Sequence, residues 1–256
     1  MRLDENKTFD EFLAFSTEVQ GEADLHTPPY ELLRKIDEYI RKHIYNTDLS
    51  APPSAIFLTV NAIWMLYGAA RNVLQGQPSV VYPVLRTALE NACYVVELCA
   101  NPKLEDVWRE RHLSKSKREK SRKHFQYAVG NARRKLNDAQ PDFGEWMYMM
   151  YESFIDFGAH PNPKAIFTHL ANEYEETDDG HYKFSFHGLY ASTSFEAQKA
   201  SLAVAETATL IVIILTIALK GMNEDEFKQL NQLNDEKNGL AAAMGFTVEG
   251  DVAASL

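Results

Sequence analysis

The stretch from Val80 to Ala100, VVYPVLRTALENACYVVELCA, constrains the fold more than any other part of the chain. Val81, Leu85, Leu89, Ala92, Val96 and Cys99 recur at steps of three and four, which predicts a helix with one face in a core. Arg86, Glu90, Cys93 and Glu97 follow the same spacing, so a charged stripe flanks that apolar face rather than lying opposite it. If the stripe is solvated, Arg86 and Glu90 form an exposed pair worth about 0.3 kcal/mol. If it is buried, both need partners from other helices, because an unpaired charge in a low-dielectric interior is costly. Asp156, His160 and Glu206 are the expected partners, all from later in the chain.

The remaining chain reads as further helices around this one. Thr8 caps a short helix ending before Gly21, and Thr27 with Pro28 and Pro29 opens a second one with Leu32, Leu33, Ile36, Ile40 and Ile44 on one face. A third runs from about Ser54 to Gln75, its broad apolar face including Ile56, Val60, Ile63, Trp64, Tyr67 and Ala70. Residues 103–139 are helical in propensity and strongly basic. FGEWMYMMYESFIDFGAHPNP, dense in aromatics and methionine, breaks at Gly158 and the prolines after it. Tyr182, Phe184 and Phe186 alternate with polar residues after Asp179-Gly180, which predicts a β-hairpin insertion over 165–187. Two helices close the chain, about Ser194 to Lys220 and about Glu224 to Met244, and the small-residue tail 245–256 is expected to be mobile. The expectation is a mainly α, multi-helix bundle of about seven helices with one small hairpin. It forms one domain over 1–256, with 1–50 as a possible outer layer.

Charge is unevenly spread. The whole chain carries a formal −10, which argues against bulk attraction to nucleic acid or anionic lipid. Yet 103–139 holds twelve Lys and Arg against five acids, a net of +7 that leaves −17 for the rest. Lys115, Lys117, Lys120, Arg122 and Lys123 could neutralise a phosphate backbone, although only Trp108, Phe125 and Tyr127 are interleaved for base stacking. Cys93 and Cys99, six apart on one helix, suggest neither a disulfide nor a metal pair, and a reducing, cytoplasmic compartment follows. The apolar run Leu210 to Leu219 extends back only to Ala208, shorter than the roughly 20 residues of a membrane span. It is expected to run through the bundle or to pair two copies in a homodimer.

Glycine-rich nucleotide loops, a nucleophile elbow, HExxH and ExxH are all absent from the sequence. Glu152, Asp156 and His160, spaced by four, align if their helix survives to His160. A carboxylate there would orient an imidazole for base catalysis or metal binding, or the pair would cap the helix end.

RTALE at Arg86 to Glu90, the Trp108-Arg109 pair and DFGAHP at Asp156 to Pro161 resemble, in that order, a family of uncharacterised bacterial helical proteins with an Arg-x-x-x-Glu core helix and a later His-Pro. More distantly the chain looks like the HEPN superfamily of nucleotide-binding helical bundles, many of which are ribonucleases of toxin or defence systems. The ribonuclease motif of that superfamily, an arginine with a histidine four to six residues on, is similar to Arg118 to His124 here. The resemblance implies a protein of a bacterial defence or stress system that contacts RNA or nucleotide through the basic helix, with Arg118 and His124 catalytic if it cleaves. The residues themselves leave two alternatives, a non-enzymatic dimeric interaction module and a metal-dependent hydrolase using Glu90, Asp156 and His160. No cofactor is expected.

Overall fold

The computed structural model describes residues 8–46, 48–139, 141–159, 163–167, 170–176, 182–186 and 188–245. At its centre are α4 (Val81–Ala100) and α10 (Phe195–Lys220), packed on each other. Around this pair lie α2 (Pro28–Ile40), α3 (Pro53–Leu74) and α11 (Glu224–Ala243). Leu85, Leu89 and Leu98 of α4 and Leu210, Ile211 and Ile214 of α10 are wholly buried. Each such side chain contributes about 1.5–3 kcal/mol of burial free energy.

The apolar run of α10 is therefore largely spent on the core of its own bundle, with Ile213, Ile217 and Ala218 half-buried. The buried hydroxyl residues of that helix survive burial because they bond to their own backbone. Ser201, Thr207, Thr209 and Thr216 each donate a hydroxyl to the carbonyl four residues back, at 2.6–3.0 Å. The helix is also longer than the run read from the sequence. At 26 residues it is long and apolar enough to cross a membrane, as is α3, but 83% of its apolar window is buried by protein, against 44% for α3.

α3 meets the core differently from the expectation. Its apolar residues surround the helix, so periodicity alone does not choose the inward side. Ala55, Ala62 and Ala69, seven apart, are buried and let α3 lie close to α4. Trp64 and Tyr67, expected on the core face, turn outward.

In front of α2, the helix α1 (Phe9–Glu22) is closed by a capping box between Thr8 and Glu11 and buries only Ser16 and Val19. By contrast Leu32, Ile36 and Ile40 of α2 are in the core, and α2 runs on into a π turn, Arg41–Tyr45.

The basic stretch is three helices rather than one, which raises the helix count above seven. These are α5 (Leu104–Arg109), α6 (Lys115–Phe125) and α7 (Ala128–Ala139). Ser114 is the reason for the first break, since its hydroxyl caps α6 by accepting the Lys117 N–H. α7 turns back into α8 (Phe143–Phe154) through Asp142, a non-glycine residue at φ 68°. The two helices touch at Gly144, where a Cβ would lie 2.0 Å from the Arg133 carbonyl oxygen. α8 continues as a π turn, Ile155–Ala159, that packs against α4.

Beyond it come a short α9 (Pro163–Phe167) and two strands, β1 (Leu170–Glu176) and β2 (Tyr182–Phe186), paired antiparallel with Tyr174 opposite Phe184. Residues 165–167, expected in the hairpin insertion, are thus helical. Most of the tail expected to be mobile, 246–256, lies outside the described residues.

Candidate functional site

The charged stripe of α4 is the seam along which α7 and α8 dock. Tyr151 of α8 completes a closed triangle at one end. The Arg86 guanidinium donates from Nε to Glu90 (3.0 Å) and from Nη2 to the Tyr151 hydroxyl (2.8 Å), and that hydroxyl donates to Glu90 at 3.1 Å. The guanidinium carbon also lies 5.0 Å from the Tyr151 ring centroid. Further along the stripe, the Cys93 thiol meets the Met147 sulfur at 3.5 Å. At the far end Lys135 of α7 pairs with the buried Glu97 at 3.0 Å. Contacts 86/90 with 151 and 93 with 147 run in opposite senses, so α8 lies antiparallel to α4.

Electrostatics follow from this packing. Burial disfavours the charged guanidinium of Arg86, but Tyr151 and Glu90 outweigh it and hold its pKa above the ordinary value. Burial and the Glu90 charge together raise the Tyr151 phenol. The Cys93 thiol is pushed far up by burial, with Glu90 and Glu97 adding to it, so it is not a poised nucleophile.

Of the polar cluster expected from the sequence, the structure joins Arg86 and Glu90 and adds Tyr151. Spacing held the clue to Tyr151, because Met147, Tyr151 and Phe154 lie three and four apart on the face of α8 that meets α4. Asp156 is exposed on the π turn after α8, and His160 lies outside the described residues. Glu206 is elsewhere. It is buried in α10 and pairs with Lys237 of α11 at 3.5 Å, while that ammonium sits 4.9 Å from the Trp146 ring centroid.

A second buried polar group was not anticipated. Glu226, almost fully buried at the start of α11, is paired with Lys220 and lies 3.1 Å from Nδ1 of His43, whose Nε2 is 3.2 Å from Gln229. His43 projects from the π turn after α2, a local irregularity that periodicity does not reveal. Among the described residues no three of His, Cys, Asp and Glu gather as metal ligands would.

α6 is the other candidate. Only Ser121 and Phe125 are buried, and Phe125 stacks near Tyr94 with ring centroids 4.7 Å apart, so one edge holds the helix and the rest faces solvent. Lys115, Arg118, Lys120, Arg122, Lys123 and His124 are exposed, while Lys117 is tied to Glu110 at 2.8 Å. None of the five exposed Lys and Arg makes an ion pair with a described residue. Arg118 and His124 share the helix but not a face. Six residues turn an α-helix so that they point about 120° apart and are separated by about 9 Å along the axis. Tyr127, just beyond α6, is exposed, whereas Phe125 is buried and Trp108 half-buried.

No protein-family model matches this chain, and neither a curated protein nor a solved structure does.

Proposed function

We propose that this chain is an RNA-contacting helical bundle, HEPN-like in kind, that lays α6 along a phosphate backbone. One observation carries the reading: five exposed cations without ion-pair partners among the described residues stand on a single anchored helix of a protein whose overall charge is −10. In an acidic protein such a patch is directional. It attracts a polyanion to one edge while the remaining surface repels it. The exposed Tyr127 at the end of the helix supplies one ring for stacking a base.

The test is binding of a labelled single-stranded 20-mer RNA across a salt series. Five phosphate contacts give a slope of about −3.5 for log K against log salt. Lys120→Glu with Arg122→Glu is expected to abolish binding, and an absence of binding at low salt, or binding indifferent to salt, refutes the contact. Cleavage lost on His124→Ala would extend the contact to a ribonuclease. Undiminished cleavage removes His124 from that role.

A second reading, a module that pairs with another copy of itself, draws on a different surface. Phe57 and Trp64, each 67% exposed, lie seven apart on the outer side of α3 and form an apolar stripe. Sizing the protein with Trp64→Asp decides it, since a homodimer that survives this change does not use α3.

A further inference from the structure

A cavity of about 360 Å³ opens between α2 and α3. Leu33, Ile36 and Ile40 form one wall, Leu66, Ala70 and Leu74 the other, and Ala208 of α10 closes the floor. The volume falls in the range of small-molecule sites, and at about 30 Å³ per water-sized group it holds roughly twelve non-hydrogen atoms. Such a space, lined by aliphatic side chains and by Tyr30 and Tyr67, selects a largely apolar body.

The rim selects the head group. Three arginines, Arg34, Arg41 and Arg71, border the cavity against one acid, Asp37. Asp37 is already engaged, accepting from Arg41 Nε at 2.7 Å and from the Tyr67 hydroxyl. Arg34 is engaged too, donating to Glu31 at 2.6 Å and to the Leu25 carbonyl at 2.8 Å. Arg71 is different. It is exposed, borders the cavity, and its guanidinium has no hydrogen-bond or ion-pair partner among the described residues. An anion at Arg71 would complete the one of these four charges that has no partner among the described residues, and a guanidinium meets a carboxylate with two parallel N–H donors.

We propose that the slot between α2 and α3 binds a small amphipathic carboxylate, its apolar body between the helices and its carboxylate on Arg71. This site is separate from α6 and does not depend on RNA contact. Decanoate, with twelve non-hydrogen atoms, matches the volume and is the probe. Titrated calorimetrically into the full chain below its micellar concentration, it is expected to saturate at one per chain. Decylamine, the same chain length with the opposite charge, is expected not to bind.

Arg71→Glu is expected to weaken decanoate at least about fivefold, the effect of losing one exposed ion pair of about 1 kcal/mol. Arg71→Lys is expected to retain most of the binding, and Ala70→Phe, which fills the slot, to remove it. Because Arg71 is exposed, Arg71→Glu and Arg71→Lys remain informative if Ala70→Phe fails to fold. The proposal is overturned by an absence of saturable binding, by equal binding of decanoate and decylamine, by an Arg71→Glu protein that binds as the wild type does, or by a folded Ala70→Phe protein that still binds.

Discussion

Replacing Lys237 by Met tests whether Glu206 belongs to a buried structural pair or to a site. Both side chains are only 9% exposed and their charges are 3.5 Å apart. With an effective dielectric of 20, two unit charges at that distance attract by about 5 kcal/mol. Removing one partner of a buried pair costs about 3–5 kcal/mol, because the remaining charge keeps its desolvation penalty and loses its compensation. Methionine is the right replacement, since it keeps an unbranched side chain and a favourable contact with the Trp146 ring in place of the cation. In a chain of this size each kcal/mol shifts the melting temperature by about 2–4 °C, so the expected loss is about 6–20 °C, a large part of a total stability of about 5–15 kcal/mol. Thermal and urea unfolding followed by circular dichroism would measure it. The double variant Glu206→Leu, Lys237→Met is expected to recover most or all of the loss, because an apolar pair of similar volume is often as stable as the ion pair it replaces. A Lys237→Met protein within about 1 kcal/mol of wild type would show that the pair is solvated. A double variant as unstable as the single one would show that the charges themselves are not what matters. Either result refutes the reasoning.

Other consequences of the packing are open to similar checks. Gly144→Ala places a Cβ 2.0 Å from the Arg133 carbonyl oxygen and 2.6 Å from Asn137 Oδ1, so α7 and α8 must move apart, and a loss of at least about 1–3 kcal/mol in urea unfolding is expected. Burial raises the pKa of Glu226, but its bonds to Lys220 and to the Asn223 backbone N–H, with the charges of Lys220 and His43, outweigh that and leave it below the ordinary glutamate value. A depressed carboxylate stabilises the fold above its unfolded pKa, and that contribution disappears as pH falls through the folded value. Stability should therefore decline on the acid side of the ordinary glutamate pKa, and Lys220→Met should flatten that decline; an unchanged acid limb would sink the assignment. Cys93, with a raised pKa and no exposure, is expected to resist iodoacetamide in the native protein and to react after unfolding, which mass spectrometry of the labelled peptide reads directly.

What could be read from the sequence, and what could not, divides along a physical line. α2 and α4 carry apolar residues on one stripe, so their inward faces were legible, down to Leu85 and Leu89 in the core, whereas on α11 Leu230 and Leu233 are buried but Phe227, of the same apolar set, is exposed. The stripe of Arg86, Glu90, Cys93 and Glu97 was legible as a flank of that face for the same reason. Its partners were not, because spacing along one helix says nothing about how a second helix is rotated against it. The sequence points to Asp156, His160 and Glu206 as partners of the stripe, but the groups that meet it are Tyr151, a residue with an apolar body and a polar tip, and Lys135 of α7, one of the three helices into which the basic stretch divides. α10 shows the limit most clearly. A helix that is apolar almost all round has no face for periodicity to find, so the same residues were compatible with a dimer seam, a membrane span and a core. In the structure those residues are mostly buried in the bundle, and Glu206, just before them, is buried beside Lys237 of α11. The charged residues of this bundle thus read best as instructions for which helix docks where. Among the described residues, the exposed cations of α6 and Arg71 at the α2–α3 slot take no part in those pairs.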